Sequence, residues 1–212
     1  MQRSWGLASS VLLLAACAAH PAADSARQPN LVFILVDDLG WQDLSVPLGS
    51  QETGFNRLYR TPHLERMARE GMVFTQAYAA SPVCTPTRAA MLSGLHPART
   101  RITDWTLWSD RDFSRAMPGL ADPPWNREGL APGPQLLTER LRAVGYTTIL
   151  AGKGHFAAVG QPGADPRALG FDVSIAGHAP GGPGSYLGER SYGNDQPNNV
   201  WDTSLATGAS PW

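Results

Sequence analysis

Six consecutive apolar residues, Leu31-Val32-Phe33-Ile34-Leu35-Val36, stop abruptly at Asp37-Asp38-Leu39-Gly40. An uninterrupted apolar run of this length fits a strand buried on both faces of a parallel sheet. That choice requires crossover connections and helices on the sheet faces. The rest of the chain reads accordingly. Thr61-Pro62 opens a helix with a cap and a first-turn proline, Leu64, Met67 and Ala68 share a face, and Gly71 closes it. Met72 to Tyr78 reads as a second strand. A helix follows just after Cys84, with Gly94 as its stop. Another spans about Gln135 to Val144, with Leu137, Leu141 and Val144 on one face and Gly145 as its stop. Tyr146 to Ala151 reads as a third strand. The expected class is α/β, a mostly parallel sheet flanked by helices with right-handed crossovers.

Composition allows this and excludes other classes. The chain has 212 residues, 42% hydrophobic and 17% charged, with formal net charge −1. That suits one α/β domain and gives no electrostatic support for a nucleic-acid partner. Residues 104 to 134 have little periodicity; Trp105, Trp108 and Trp125 lie among Pro118, Pro123, Pro124, Pro132 and Pro134. They read as an irregular insertion, and its tryptophans suit either a carbohydrate-binding face or a core. From Ala176 to Trp212, Gly, Pro, Asn and Ser dominate, so an irregular, poorly ordered tail is expected there.

The N-terminus reads as an export signal. Arg3 precedes the apolar stretch Leu7 to Ala16, too short for a spanning helix. Residues 1–16 are expected to be a signal peptide and residues 17–28 a tether. Leu14-Ala15-Ala16-Cys17 resembles a bacterial lipobox, which implies lipidation at Cys17 and a membrane anchor. An ordinary cleavage near Ala19 or Ala23 is the alternative. Ala18, rather than Asp, favours the outer membrane over the inner by the same resemblance, so the expected location is the periplasm or outer membrane. With Cys17 lipidated, Cys84 is the one cysteine left and has no internal disulfide partner.

Cys84 lies in Cys84-Thr85-Pro86-Thr87-Arg88-Ala89-Ala90-Met91-Leu92-Ser93-Gly94. Pro86 suits the first turn of a helix and Thr85 reads as its N-cap. Cys84 then stands just ahead of a helix N-terminus, where free N–H groups and the dipole favour an anion. Arg88 adds a planar fork for an oxyanion. This run resembles the signature of the sulfatase family, whose cysteine is oxidised to formylglycine. Pro29-Asn30 through Gly40 resembles the family's opening strand, and Gly145 to His155 its second signature, with Gly154 where the family usually has Trp. Gly170-Phe171-Asp172 is similar to family text as well. The resemblance covers roughly residues 29–175, in the family's order.

The resemblance implies an alkaline-phosphatase-like fold and hydrolysis of an organic sulfate ester. It implies Ca²⁺ held by Asp37, Asp38 and position 84, catalysis by Cys84 (as formylglycine), Arg88, Lys153 and His155, and a formylglycine-generating enzyme as maturation partner. The substrate would be a sulfated small molecule or carbohydrate. One hydroxyl of the hydrated aldehyde would attack sulfur; deprotonation of the second, assisted by His155, would release sulfate. The family's later metal ligands have no recognisable counterpart, since Asn194-Asp195 comes too early, so a truncated chain is expected. Other readings are a phosphate or phosphonate monoester hydrolase of the same superfamily, an inactive lipoprotein fragment, and a thiol-dependent hydrolase. His178 reads as a loop histidine without a family role.

Overall fold

The computed structural model describes residues 28–112, 118–119 and 124–182. Cys17, the signal peptide and Asn194-Asp195 lie outside them. The chain divides into two units, one ending at Leu39 and the other beginning at Gly40. The described part of the first unit is the segment 28–39. In it, Leu31 to Val36 form no regular element, and Phe33 and Ile34 are 72% and 70% exposed. This corrects the expectation of a doubly buried strand. Apolar sequence favours burial, but a strand exists only when a neighbouring backbone completes its ladder. Met72 to Tyr78 fails as a strand in the same way: it forms two loop stretches about a turn, with Met72 and Tyr78 exposed.

In the second unit, four helices and two strands are described in the order α1 (Pro62–Glu70), α2 (Cys84–Ser93), α3 (Pro97–Thr100), α4 (Leu137–Ala143), β1 (Ile149–Ala151) and β2 (Val173–Ile175). The strands run parallel, with Ile149, Leu150 and Ala151 opposite Val173, Ser174 and Ile175. The mostly parallel sheet is thus present as one two-stranded piece among the described residues. Two 3₁₀ turns, Pro162–Ala164 and Pro166–Leu169, lie on the connection from β1 to β2.

The helix limits follow local chemistry. α1 has Pro62 at its start and Gly71 at its C-cap, as its sequence requires, but it buries no residue. α2 begins two residues earlier than expected. Val83 is its N-cap and Cys84 its first residue, because the cap position needs extended backbone and Val83 supplies it (φ −125°, ψ 162°). Gly94 closes α2 in the left-handed conformation that glycine adopts without a Cβ clash.

α2 carries the core. Ala89 and Leu92 on its inner face pack with Ile102, Leu130, Leu136, Phe156 and Leu169. Phe156 and Phe171 stack at 6.2 Å between ring centroids. Around them, the expected insertion clamps the segment after β1. Leu130 N–H donates to Phe156 O at 2.9 Å, Ala158 N–H to Glu128 O at 2.9 Å, and Val159 N–H to Leu107 O at 2.8 Å. An irregular segment is held here by main-chain hydrogen bonds rather than by a period in its sequence.

The Gly170-Phe171-Asp172 motif joins the two strands. Asp172 Oδ2 accepts from the main-chain N–H of Thr148 at 2.8 Å and from its hydroxyl at 3.0 Å. The Thr148 hydroxyl also reaches Gly170 O at 2.6 Å. Arg142 Nε stands 3.0 Å from Asp172 Oδ1. The Thr148 N–H, then its hydroxyl and the Arg142 charge, hold the Asp172 carboxyl below the usual carboxylate range. Phe171 supplies packing to the same junction through its stack on Phe156.

Two stability predictions follow from this packing. Phe156→Ala is expected to cost about 3–5 kcal/mol in urea unfolding, because the ring is fully buried and the cavity cannot close completely. Because the folded pKa of Asp172 lies below the unfolded value of about 3.9, its ionised form favours the folded state. That contribution is complete above the unfolded value and disappears as pH falls through the folded one. Thermal melts across the acid range should therefore show a shallower acid loss for Asp172→Asn than for wild type.

Candidate active site

The second unit brings four sequence-chosen residues together or into adjoining shells. Cys84 occupies the first turn of the ten-residue α2, where main-chain N–H groups lack helical partners. Lys153, just past the end of β1, points its Nζ at Cys84 Sγ, 3.1 Å away. The two residues are 69 apart in sequence, so the fold alone makes the pair.

Arg88, expected as a fork for an oxyanion, has a main-chain partner as well. It lies on the buried side of α2, 5% exposed, and its Nη1 donates to Lys153 O at 2.8 Å. At least one donor of its fork therefore grips the main chain that presents the lysine. A buried guanidinium needs hydrogen bonds to offset its desolvation, and a carbonyl suits it. Arg88 acts here first as a strut for Lys153.

His155 is buried and sits behind Lys153. Its Nε2 lies 2.9 Å from Thr106 O, and its main-chain N–H donates to His178 O at 2.8 Å. The ring lies tilted beside Trp105, with centroids 6.5 Å apart. Its φ of 53° is left-handed, a conformation uncommon outside glycine that the surroundings must hold in place. Thr106 is tied in turn to α2, since its N–H donates to Thr85 Oγ1 at 3.2 Å, both residues being fully buried. The first turn of α2 thus supports the carbonyl that receives the histidine ring.

Three contributors were not foreseen. Thr106 lies in aperiodic sequence and acts mainly through main-chain atoms, so no sequence signal marks it. Residues 177–180, assigned by sequence to the irregular tail, are buried and border His155. His178, read as a loop histidine, is among them, and burial pushes its imidazole pKa below the ordinary value. The glycines at 154 and 181 were visible, but their use depends on contacts that only the fold creates.

Asp37 and Asp38 belong to the first unit. They form a turn, both are exposed, and Asp38 has a left-handed φ of 52°. Two adjacent carboxylates are hard oxygen donors of the kind Ca²⁺ takes, though two residues supply fewer than the six to eight oxygens such an ion needs.

The chain is similar to known proteins. The family model described as Sulfatase matches residues 29–212. This chain belongs to the sulfatase family. The match continues past residue 175 and so includes His178 and Gly181, which lie against His155. N-acetylgalactosamine-6-sulfatase of Sus scrofa is 36% identical over 163 residues, covering 76% of this chain and 28% of the relative. Steryl-sulfatase of Rattus norvegicus is 37% identical over 160 residues, 74% of this chain and 24% of the relative. A sulfatase of Formosa agariphila is 33% identical over 177 residues, 82% and 30% respectively. The chain thus spans less than a third of the length of these relatives. Its likeness to an alkaline-phosphatase-like fold comes with that family; the structure itself contributes a small parallel sheet and helices.

Thr85→Val tests the link between α2 and the histidine. Valine keeps the shape but removes the acceptor, leaving the buried Thr106 N–H without Oγ1. Urea unfolding should show a loss of about 1–3 kcal/mol, with a smaller loss for Thr85→Ser.

Proposed function

We propose that this chain carries the nucleophile-bearing part of a hydrolase acting on organic sulfate esters. The observation that carries this reading is the 3.1 Å approach of Lys153 Nζ to Cys84 Sγ at the first turn of α2. A cation and a helix N-terminus meet at one atom, and both favour negative charge there. Membership of the sulfatase family supplies the reaction class.

In this reading Cys84 is converted to formylglycine by a maturation enzyme that recognises the Cys84–Gly94 run. Formylglycine supplies a hydrated aldehyde, with one hydroxyl as nucleophile and a second whose deprotonation allows release. Lys153 binds the transferred group and holds negative charge near position 84. Arg88 keeps Lys153 in place through its main chain. His155 moves a proton during release. Asp37, Asp38 and the position-84 group would hold Ca²⁺, which supplies Lewis-acid polarisation of sulfate oxygens. Further oxygen ligands are required, consistent with the short span of this chain against its relatives.

The leaving alcohol is not selected by similarity. A relative named for a sugar sulfate and one named for a steryl sulfate match about equally, at 36% and 37%. What the two names share is the sulfate ester. Export through residues 1–16 and lipidation at Cys17, to a periplasmic or outer-membrane location, complete the proposal. Among the described residues no helix is long and apolar enough to cross a membrane.

Coexpression with a formylglycine-generating enzyme should yield a Cys84 peptide with the mass of the aldehyde in place of the thiol. An unmodified thiol that still alkylates would overturn the assignment of Cys84. Modified protein, supplied with Ca²⁺, is expected to cleave an aryl sulfate in preference to the matching aryl phosphate, with Lys153→Met lowering turnover about 10²–10³-fold. Preference for the phosphate would transfer the chain to the phosphomonoester reading.

A further inference from the structure

His155 is held at three points, and together they determine which of its nitrogens works. The first is Nε2, 2.9 Å from the Thr106 carbonyl. A carbonyl oxygen only accepts, so Nε2 must carry the proton of this bond. In the neutral ring the acceptor lone pair then belongs to Nδ1.

The second point is the surroundings of Nδ1. A Cβ built on Gly181 would stand 3.0 Å from Nδ1 and 3.7 Å from Lys153 Nζ. The imidazole nitrogen and the ammonium therefore border one small space, and Gly181 occupies it with a hydrogen instead of a side chain. Lys153 Nζ is in turn the group against Cys84 Sγ.

The third point is the backbone of His155. Its N–H reaches His178 O at 2.8 Å, and this bond helps hold its left-handed φ. Gly154, buried, makes that approach feasible: a Cβ there would lie 3.0 Å from both the N and the O of His178. Those are main-chain atoms and cannot swing aside as a side-chain tip would. A side chain at 154 requires the 177–178 backbone to give by a few tenths of an ångström, against the N–H it bonds. The absent side chain thus has a consequence in the site, one residue along.

We propose that Thr106, Gly154 and the His178 carbonyl are positioning residues that fix His155 as its Nε2–H tautomer, leaving Nδ1 as the acceptor nitrogen on the side of Lys153 Nζ. The use of that nitrogen in the reaction rests on the sulfatase reading. The tautomer does not.

The test is a long-range ¹⁵N–¹H correlation spectrum of the full chain at a pH where the ring is neutral, with His155 assigned by its loss in His155→Gln. Nε2 is expected to be the protonated, pyrrole-type nitrogen and Nδ1 the pyridine-type one. Gly154→Ala should give a mixture of tautomers and quicken exchange of the His155 amide by about tenfold, the loss of one net hydrogen bond. His178→Ala should leave both unchanged, because its main-chain carbonyl remains. A protonated Nδ1 in wild type, or a single tautomer with a protected amide in Gly154→Ala, would overturn the assignment. If Gly154→Ala does not fold, the wild-type tautomer decides alone. Failure to form formylglycine would remove the sulfatase reading and leave this result standing; a protonated Nδ1 in a working sulfatase would remove this assignment alone.

Discussion

The buried guanidinium of Arg88 on the carbonyl of Lys153 spans 65 residues of sequence and locks α2 to the segment that leaves β1. The remainder of the site depends on that lock. α2 presents Cys84 at its first turn, and the same helix, one turn further in, holds the backbone of the lysine that faces Cys84. Cys84 and the cation facing it are therefore set by one rigid element. A charge in so dry a place is tolerated because a carbonyl accepts from it.

The core keeps both ends of this lock still. Ala89 and Leu92 share the face of α2 that meets Phe156, while Lys153 and His155 are the close chain neighbours of Phe156. Burial of one aromatic ring thereby sets the depth at which two functional side chains emerge. The Thr148–Asp172 latch fixes the far end of the same connection, and the segment 128–130 pins its near end through main-chain hydrogen bonds. These groups were chosen for packing and pairing, but their effect is precision at Cys84.

Legibility in the sequence varied with the physics involved. The helix stops at Gly71 and Gly94 and the start at Pro62 are local, and they appear where turn and cap chemistry place them. The strands Leu31–Val36 and Met72–Tyr78 required partners elsewhere, and apolar content carries no information about who those partners are. Arg88 was recognisable as a site residue, yet its hydrogen bond runs to a main-chain atom that no pattern announces. Gly154 could be seen as a departure from the family text. That it makes room for the His178 backbone needed a contact 24 residues away in the chain.

By itself the sequence determined the family and singled out Cys84, Lys153 and His155 as candidates, because those rest on residue identity and short spacing. It also set the start of α1 at Pro62 and the stops at Gly71 and Gly94, which are decided within a few residues. Tertiary structure alone decided that Lys153 faces Cys84, that Arg88 supports it from behind, and that Thr106 and the 177–181 segment enclose His155. Those are distances between segments remote in the chain. They follow from how the Phe156 core packs and where buried main-chain groups find their hydrogen bonds, and neither is a property of any short stretch of sequence.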